Sequence, residues 1–201
     1  VDLLNFKTYK VNGALTGVSI PSVMRTAGMK RADFAGTLSG PVEITGSLAA
    51  GSKDLKAGAK IKIAARQGAV PVKGFLEVAY TQRRNTIQLG NSWVELPHTR
   101  LDLRGTVGEQ LTVRLDSRDL EDFKPALALA SDNVPERFPI LLVRGGSAVF
   151  DGTITGPLDK ARAAGQLTLT SFEVAEQSVD RLVATVDATP SGACAPAAAS
   201  C

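Results

Sequence analysis

The chain has 201 residues, long enough for one domain with a sizeable buried core. Its 44% hydrophobic and 21% charged residues exclude a disordered chain, and an aromatic share of 5% leaves few of the stacking platforms that single-stranded nucleic acids need. With a net charge of +3 and a pI near 9.0 the surface is mildly basic, Lys and Arg are spread along the sequence, and no nucleic-acid partner is expected.

No run approaches the about 20 apolar residues that a membrane-spanning helix requires. The chain opens at Val1 with no visible signal peptide, so we expect a processed or excised piece of a larger protein, with any anchor in sequence outside it.

In chain order, Val11-Asn12-Gly13-Ala14-Leu15-Thr16-Gly17 reads as a short strand ending at a glycine. Ile20 to Lys30 breaks the alternation: Ile20, Val23, Met24 and Ala27 fall at helical spacing, and Pro21 and Ser22 suit a first turn. Phe34-Ala35-Gly36-Thr37-Leu38-Ser39-Gly40-Pro41-Val42 follows, and its frame returns at Phe150. Lys60-Ile61-Lys62-Ile63 alternates polar and apolar, as do Thr99 to Arg104 and Leu111 to Asp116. Leu103-Arg104-Gly105-Thr106-Val107-Gly108 is a degraded copy of the glycine frame. Asp119 to Ser131 carries Leu120, Phe123 and Leu127, with Pro125 starting or kinking a short helix.

Phe150-Asp151-Gly152-Thr153-Ile154-Thr155-Gly156-Pro157-Leu158 is the second full copy of the Gly-x-x-x-Gly-Pro frame. In each copy the second glycine is expected to end a strand and the first to bend it. Gln166 to Thr170 and Arg181 to Asp187 alternate again. The terminal segment 190–201 holds Cys194 and Cys201, the chain's two cysteines, and reads as a flexible Ala/Pro/Cys tail after a single β domain over 1–189.

The fold class is therefore all-β: an antiparallel sheet with one dry and one wet face and one or two short helices. Alternation places Leu101, Leu103, Leu111, Val113 and Leu115 on the apolar face. It adds Phe150, Ile154, Leu167, Leu169, Leu182 and Val186 further on. Such faces also form the sealed core of a closed sandwich or barrel, and that alternative stays open at this level.

Reactive chemistry finds little support. His98 is the single histidine, in the turn-like Leu96-Pro97-His98-Thr99, and the body of the chain has no cysteine to join it as a ligand. There is no Gly-x-Ser-x-Gly frame. Asp116, Asp119, Glu121 and Asp122 read as solvated turn and helix-start charges, with cation binding the rival reading. Arg83-Arg84 looks like a hairpin tip, with headgroup contact as a minor alternative. Arg144-Gly145-Gly146 lacks the ending of a phosphate loop. We expect no catalytic residue, no metal and no cofactor.

The text from Phe150 to Phe172, strand then Gly-Thr-Ile-Thr-Gly-Pro-Leu, then Gly165-Gln166-Leu167, resembles the repeats of the TamB family of AsmA-like envelope proteins. The region from Leu111 to Ala126 resembles the family's short Asp-Leu-x-x-Leu/Phe insert before a new repeat. The resemblance covers most of residues 9–187, strongly over 145–187 and loosely over 50–95; the Ala/Pro/Cys tail departs from it. It implies an elongated, curved β-trough (a β-taco) with an apolar concave face, in the periplasm, belonging to a protein anchored in the inner membrane. It also implies phospholipid acyl chains as cargo, lying on the residues named above, during transfer between the two membranes. An outer-membrane barrel protein is the implied partner of some members, and a scaffold for outer-membrane protein assembly is the alternative role.

Overall fold

The computed structural model describes residues 8–26, 28, 34–49, 52–67, 70–125, 138–157, 160–189 and 192–194. The first strands are β1 (Thr8–Ser19), β2 (Phe34–Ser47), β3 (Lys56–Ala65), β4 (Val70–Pro71), β5 (Lys73–Thr81) and β6 (Thr86–Glu95). They are followed by β7 (Thr99–Val107), β8 (Gln110–Ser117), β9 (Ile140–Thr155), β10 (Arg162–Val174), β11 (Gln177–Thr189) and β12 (Gly192–Cys194). All except β4 hydrogen-bond in the order β1-β2-β3-β5-β6-β7-β8-β9-β10-β11-β12, while β4 adds a short parallel pair to the start of β2. At about 4.8 Å per strand, such a ladder runs about 50 Å along its hydrogen-bonding direction.

The sheet is curved and open: β1 stands at one end and β11 with β12 at the other, and the two ends do not pair. A closed sandwich or barrel is therefore not what the described residues form. Within the segment read as a flexible tail, Gly192–Cys194 pair with Asp187 to Thr189. Cys201 lies outside the described residues.

Irregularities in the ladder bend the sheet. The register shifts between Leu15 and Val18, between Phe75 and Val78, between Leu89 and Ser92, and between Thr170 and Phe172. Each extra residue kinks its strand and increases the local twist. Gly17, at φ +64°, sits in the first bulge and Ser171, at φ +46°, in the last. Opposite Ser171, a Cβ on Gly146 would come within 2.1 Å of the Ser171 carbonyl oxygen. The second glycine of Arg144-Gly145-Gly146 thus serves a close backbone crossing.

The repeated glycine frame does not recur as one structural unit. Its second copy ends β9 at Thr155, and Gly156 turns the chain at φ +87°. Its first copy opens β2, which runs through Gly40 and Pro41 to Ser47. Gly17 likewise lies inside β1. The expectation that each second glycine ends a strand holds at Gly156 and Gly108 and fails at Gly40 and Gly17. There the neighbouring strand is long enough to keep pairing, so the ladder continues past the glycine.

Counting β1 to β2 as the first gap in the ladder, odd gaps are crossed at one long rim and even gaps at the other. The first rim carries α1 (Ile20–Thr26), the turn 96–98 and a 3₁₀ turn (Leu120–Phe123); its helices match the two expected breaks in alternation. Pro21 occupies the first turn of α1, where its missing N–H costs nothing. Met24 is buried, and Ile20 Cδ1 would touch a Cβ on Gly36 at 2.8 Å. The rest of the expected segment at residues 27, 29–30 and 126–131 lies outside the described residues.

The β10–β11 hairpin turns at Ala175 and Glu176, both left-handed (φ 47° and 65°), although neither is glycine or asparagine. A two-residue turn of this hand favours Asn-Gly. Ala175→Asn with Glu176→Gly is expected to stabilise the protein by about 1 kcal/mol. The check is a higher urea midpoint at unchanged slope; an unchanged midpoint would contradict it.

Candidate functional site

The register of the strands defines one continuous apolar face. A single row crosses ten strands: Val18, Leu38, Ile63, Gly74, Val94, Leu101, Leu115, Phe150, Leu167 and Ala184. A second runs through Gly13, Val42, Ala59, Val78, Leu89, Gly105, Leu111, Ile154, Ala163 and Ala188. Between them Leu103 pairs with Val113, which faces Gly152, then Gly165 and Val186. Nearer the first rim, Ser117 faces Ala148, Leu169 and Leu182 in turn.

All eleven residues expected from alternation thus share this face. Val113 (5% exposed) and Leu169 (2%) lie at its floor, whereas Leu182 (43%) stands on β11 near the open end. Leu101, Leu103, Leu111, Leu115, Phe150, Ile154, Leu167 and Val186 are half-buried. The curvature brings them towards one another, and among the described residues no second sheet covers them.

The N-terminal half of the face was not anticipated in detail: Leu38, Val42, Ile61, Ile63, Leu76, Val78, Leu89 and Val94. Lys60 to Ile63 carried the signal. In β6 it was scrambled by the bulge, because Ile87 and Leu89 face inward before it and Ser92 and Val94 after it.

Few polar groups interrupt the face, and each is satisfied. Ser92 Oγ accepts from the Glu77 N–H at 3.0 Å and donates to the Glu77 carbonyl. The Thr99 and Ser117 hydroxyls bond each other at 2.8 Å, and Ser117 Oγ donates to the Asp119 carbonyl at 2.9 Å. The opposite face is polar: Ser39, Lys62, Phe75, Trp93, Asp102, Arg114, Asp151 and Gln166 form one of its rows. Arg114 bonds Asp151 at 2.8 Å, Lys73 pairs with Glu95 at 2.7 Å, and Arg100 stacks over the Trp93 ring at 4.8 Å. The Arg162 guanidinium hydrogen-bonds Asp187 and holds that carboxyl below the usual carboxylate range.

The acidic run is only partly solvated, contrary to expectation. Asp119 caps the 3₁₀ turn, accepting from the Glu121 N–H at 2.9 Å. Asp122 is 7% exposed, and its Oδ2 accepts the His98 backbone N–H at 2.7 Å. A carboxylate can be buried there because a peptide donor meets it directly. His98 lies in the β6–β7 turn with its ring 3.6 Å from Asp122 Oδ1. Among the described residues no group of three or more potential metal ligands converges, and no helix is long and apolar enough to cross a membrane.

The fold and face together define a class: an open, curved antiparallel sheet with an uncovered apolar concave side. No family model, no curated protein and no solved structure matches this chain.

Proposed function

We propose that the concave face shields the acyl chains of phospholipids, making this chain a segment of a lipid-transfer trough in the bacterial envelope, with no catalytic role. The observation that carries the reading is the largely aliphatic surface that runs across ten paired strands with few polar interruptions. An uncovered surface of that extent is far larger than ordinary scatter of apolar side chains and marks a binding site. Burying acyl methylenes on it is worth about 0.8 kcal/mol per CH₂. Aliphatic side chains make many weak, equivalent contacts, so a chain can slide along the face without a strong trap. The likeness of Phe150 to Phe172 to the TamB repeats points to the same cargo and to a periplasmic setting.

The test is native mass spectrometry with lipid extraction on the purified protein. Val113 and Leu169 are poor places to intervene, since a charge at such buried positions would unfold the chain. Val11 (53% exposed), Ile87 (42%) and Leu182 (43%) lie on the same face and tolerate change. Val11→Asp, Ile87→Asp and Leu182→Asp together are expected to lower lipid occupancy more than about tenfold while costing roughly 1–2 kcal/mol of stability. A wild-type protein that captures no lipid would overturn the reading.

One observation favours a second role as a scaffold. β1 is a 12-residue edge strand, largely exposed, and among the described residues only β2 pairs with it. Such an edge can accept another strand. The same spectra separate the two readings, because a scaffold carries a bound peptide in place of lipid.

A further inference from the structure

Lys and Arg are scattered in sequence, yet the fold gathers four of them at one point on the second rim. Lys56 pairs across the sheet with Thr81, and Thr81 with Thr86, either side of the β5–β6 turn Gln82 to Asn85. The Gln82 N–H donates to the Leu55 carbonyl at 2.9 Å, which fastens that turn to the segment carrying Lys53. Lys53, Lys56, Arg83 and Arg84 then border a cavity of about 440 Å³, with Thr81, Thr86, Gln88 and Thr106 as further polar walls.

Several cations of the outer face are matched, as Lys10 is by Glu43 at 2.8 Å and Arg114 by Asp151. Here Asp54 and Glu109 are the carboxylates of the cavity, and Asp54 is shared between Arg83 at 3.6 Å and the Ser52 hydroxyl. The side chains of Lys53, Lys56 and Arg84 make no ion pair or hydrogen bond among the described residues. The position matters as much as the charge. On the concave side of the same hairpin the apolar face ends at the pair Tyr80 and Ile87, and the Tyr80 hydroxyl reaches the turn at Asn85 Oδ1, 3.2 Å away. An amphiphile whose chains lie on that face ends at this turn.

We propose that the basic lip formed by Lys53, Lys56, Arg83 and Arg84 binds the phosphate of anionic phospholipid headgroups, an assignment that rests on the trough reading. It makes the trough selective for anionic over zwitterionic lipid. Arg supplies paired donors to phosphate oxygens and Lys a point charge.

The experiment offers the protein mixed detergent micelles with equal amounts of phosphatidylglycerol and phosphatidylcholine, and reads captured lipid by native mass spectrometry. The wild type is expected to enrich phosphatidylglycerol on the order of tenfold, from two or three cations near the headgroup. Lys56→Ser with Arg83→Ser and Arg84→Ser should erase the preference and keep phosphatidylcholine capture, with an unchanged melt because all three are exposed. Restoring charge with Arg83→Lys and Arg84→Lys should keep it. Equal capture by the wild type, or a preference that survives in the serine variant, overturns the headgroup site and leaves the trough intact. Capture of neither lipid sinks the trough reading and the headgroup assignment with it. Inorganic phosphate titrated into the delipidated protein separates the sources: binding as tight as the anionic lipid's makes this a free-phosphate site and overturns the headgroup assignment.

Discussion

Replacing Phe172 with alanine is expected to destabilise the protein by about 3–5 kcal/mol. The ring is 3% exposed and packs with Leu169 and Ala148, each 2% exposed, in the best-buried cluster of the described residues. Leu120 from the 3₁₀ turn, Ile140 and Leu142 from β9 and Val179 from β11 close around it. The ring faces inward because the bulge at Ser171 resets the phase of β10 after Leu169. Alanine therefore leaves a cavity beneath the 3₁₀ turn, where Leu120 packs, and an open sheet has no opposite layer to collapse into the gap. For a domain of this size the loss corresponds to roughly 6–20 °C in Tm. The control is Leu182→Ala, near the open end at 43% exposed, which should cost under about 1 kcal/mol. Equal midpoint shifts for the two variants in urea would show that this cluster is not the anchor.

Gly40→Ala should cost about as much, through the backbone instead. Its φ of +156° is one that a side chain rarely adopts, and a Cβ there would sit 2.0 Å from the Lys60 carbonyl oxygen and 3.1 Å from Ile61 Cα. Neither atom can swing aside, so β2 and β3 must separate where Ile61 and Ile63 enter the floor of the trough. Overpacking and strained backbone together suggest a loss of about 3–5 kcal/mol. Gly13 is the matched control: it sits on β1 facing Val42, and an added methyl there would meet no atom within 4 Å. Gly13→Ala should therefore be neutral or mildly stabilising. A Gly40→Ala protein as stable as the Gly13→Ala one would contradict the close crossing. If the trough carries lipid, the Gly40 variant should lose it together with the fold, whereas the Gly13 variant should keep it.

What the residues alone determined was the chemistry of the two faces. Alternation in Lys60 to Ile63, Thr99 to Arg104, Leu111 to Asp116, Gln166 to Thr170 and Arg181 to Asp187 identified strands with one dry side, because side-chain direction in a pleat is a local property with period two. The breaks at Ile20 and Asp119 were legible for the same reason, since Pro21 and Asp119 mark a helical start within one turn. The tertiary structure decided everything that depends on pairing between distant segments. Bulges set the phase, so inward positions moved from Leu89 to Ser92 and from Leu169 to Phe172. Two identical glycine frames took different places because β8 and β10 stop pairing with β9 at Thr155, whereas β1 and β3 pair with β2 on both sides of Gly40. Asp122 lost its solvent to the His98 peptide across a separation of 24 residues. Scattered lysines and arginines became one basic lip only when β3 paired with β5. Register is a cooperative outcome of the whole ladder, and no window of sequence contains it.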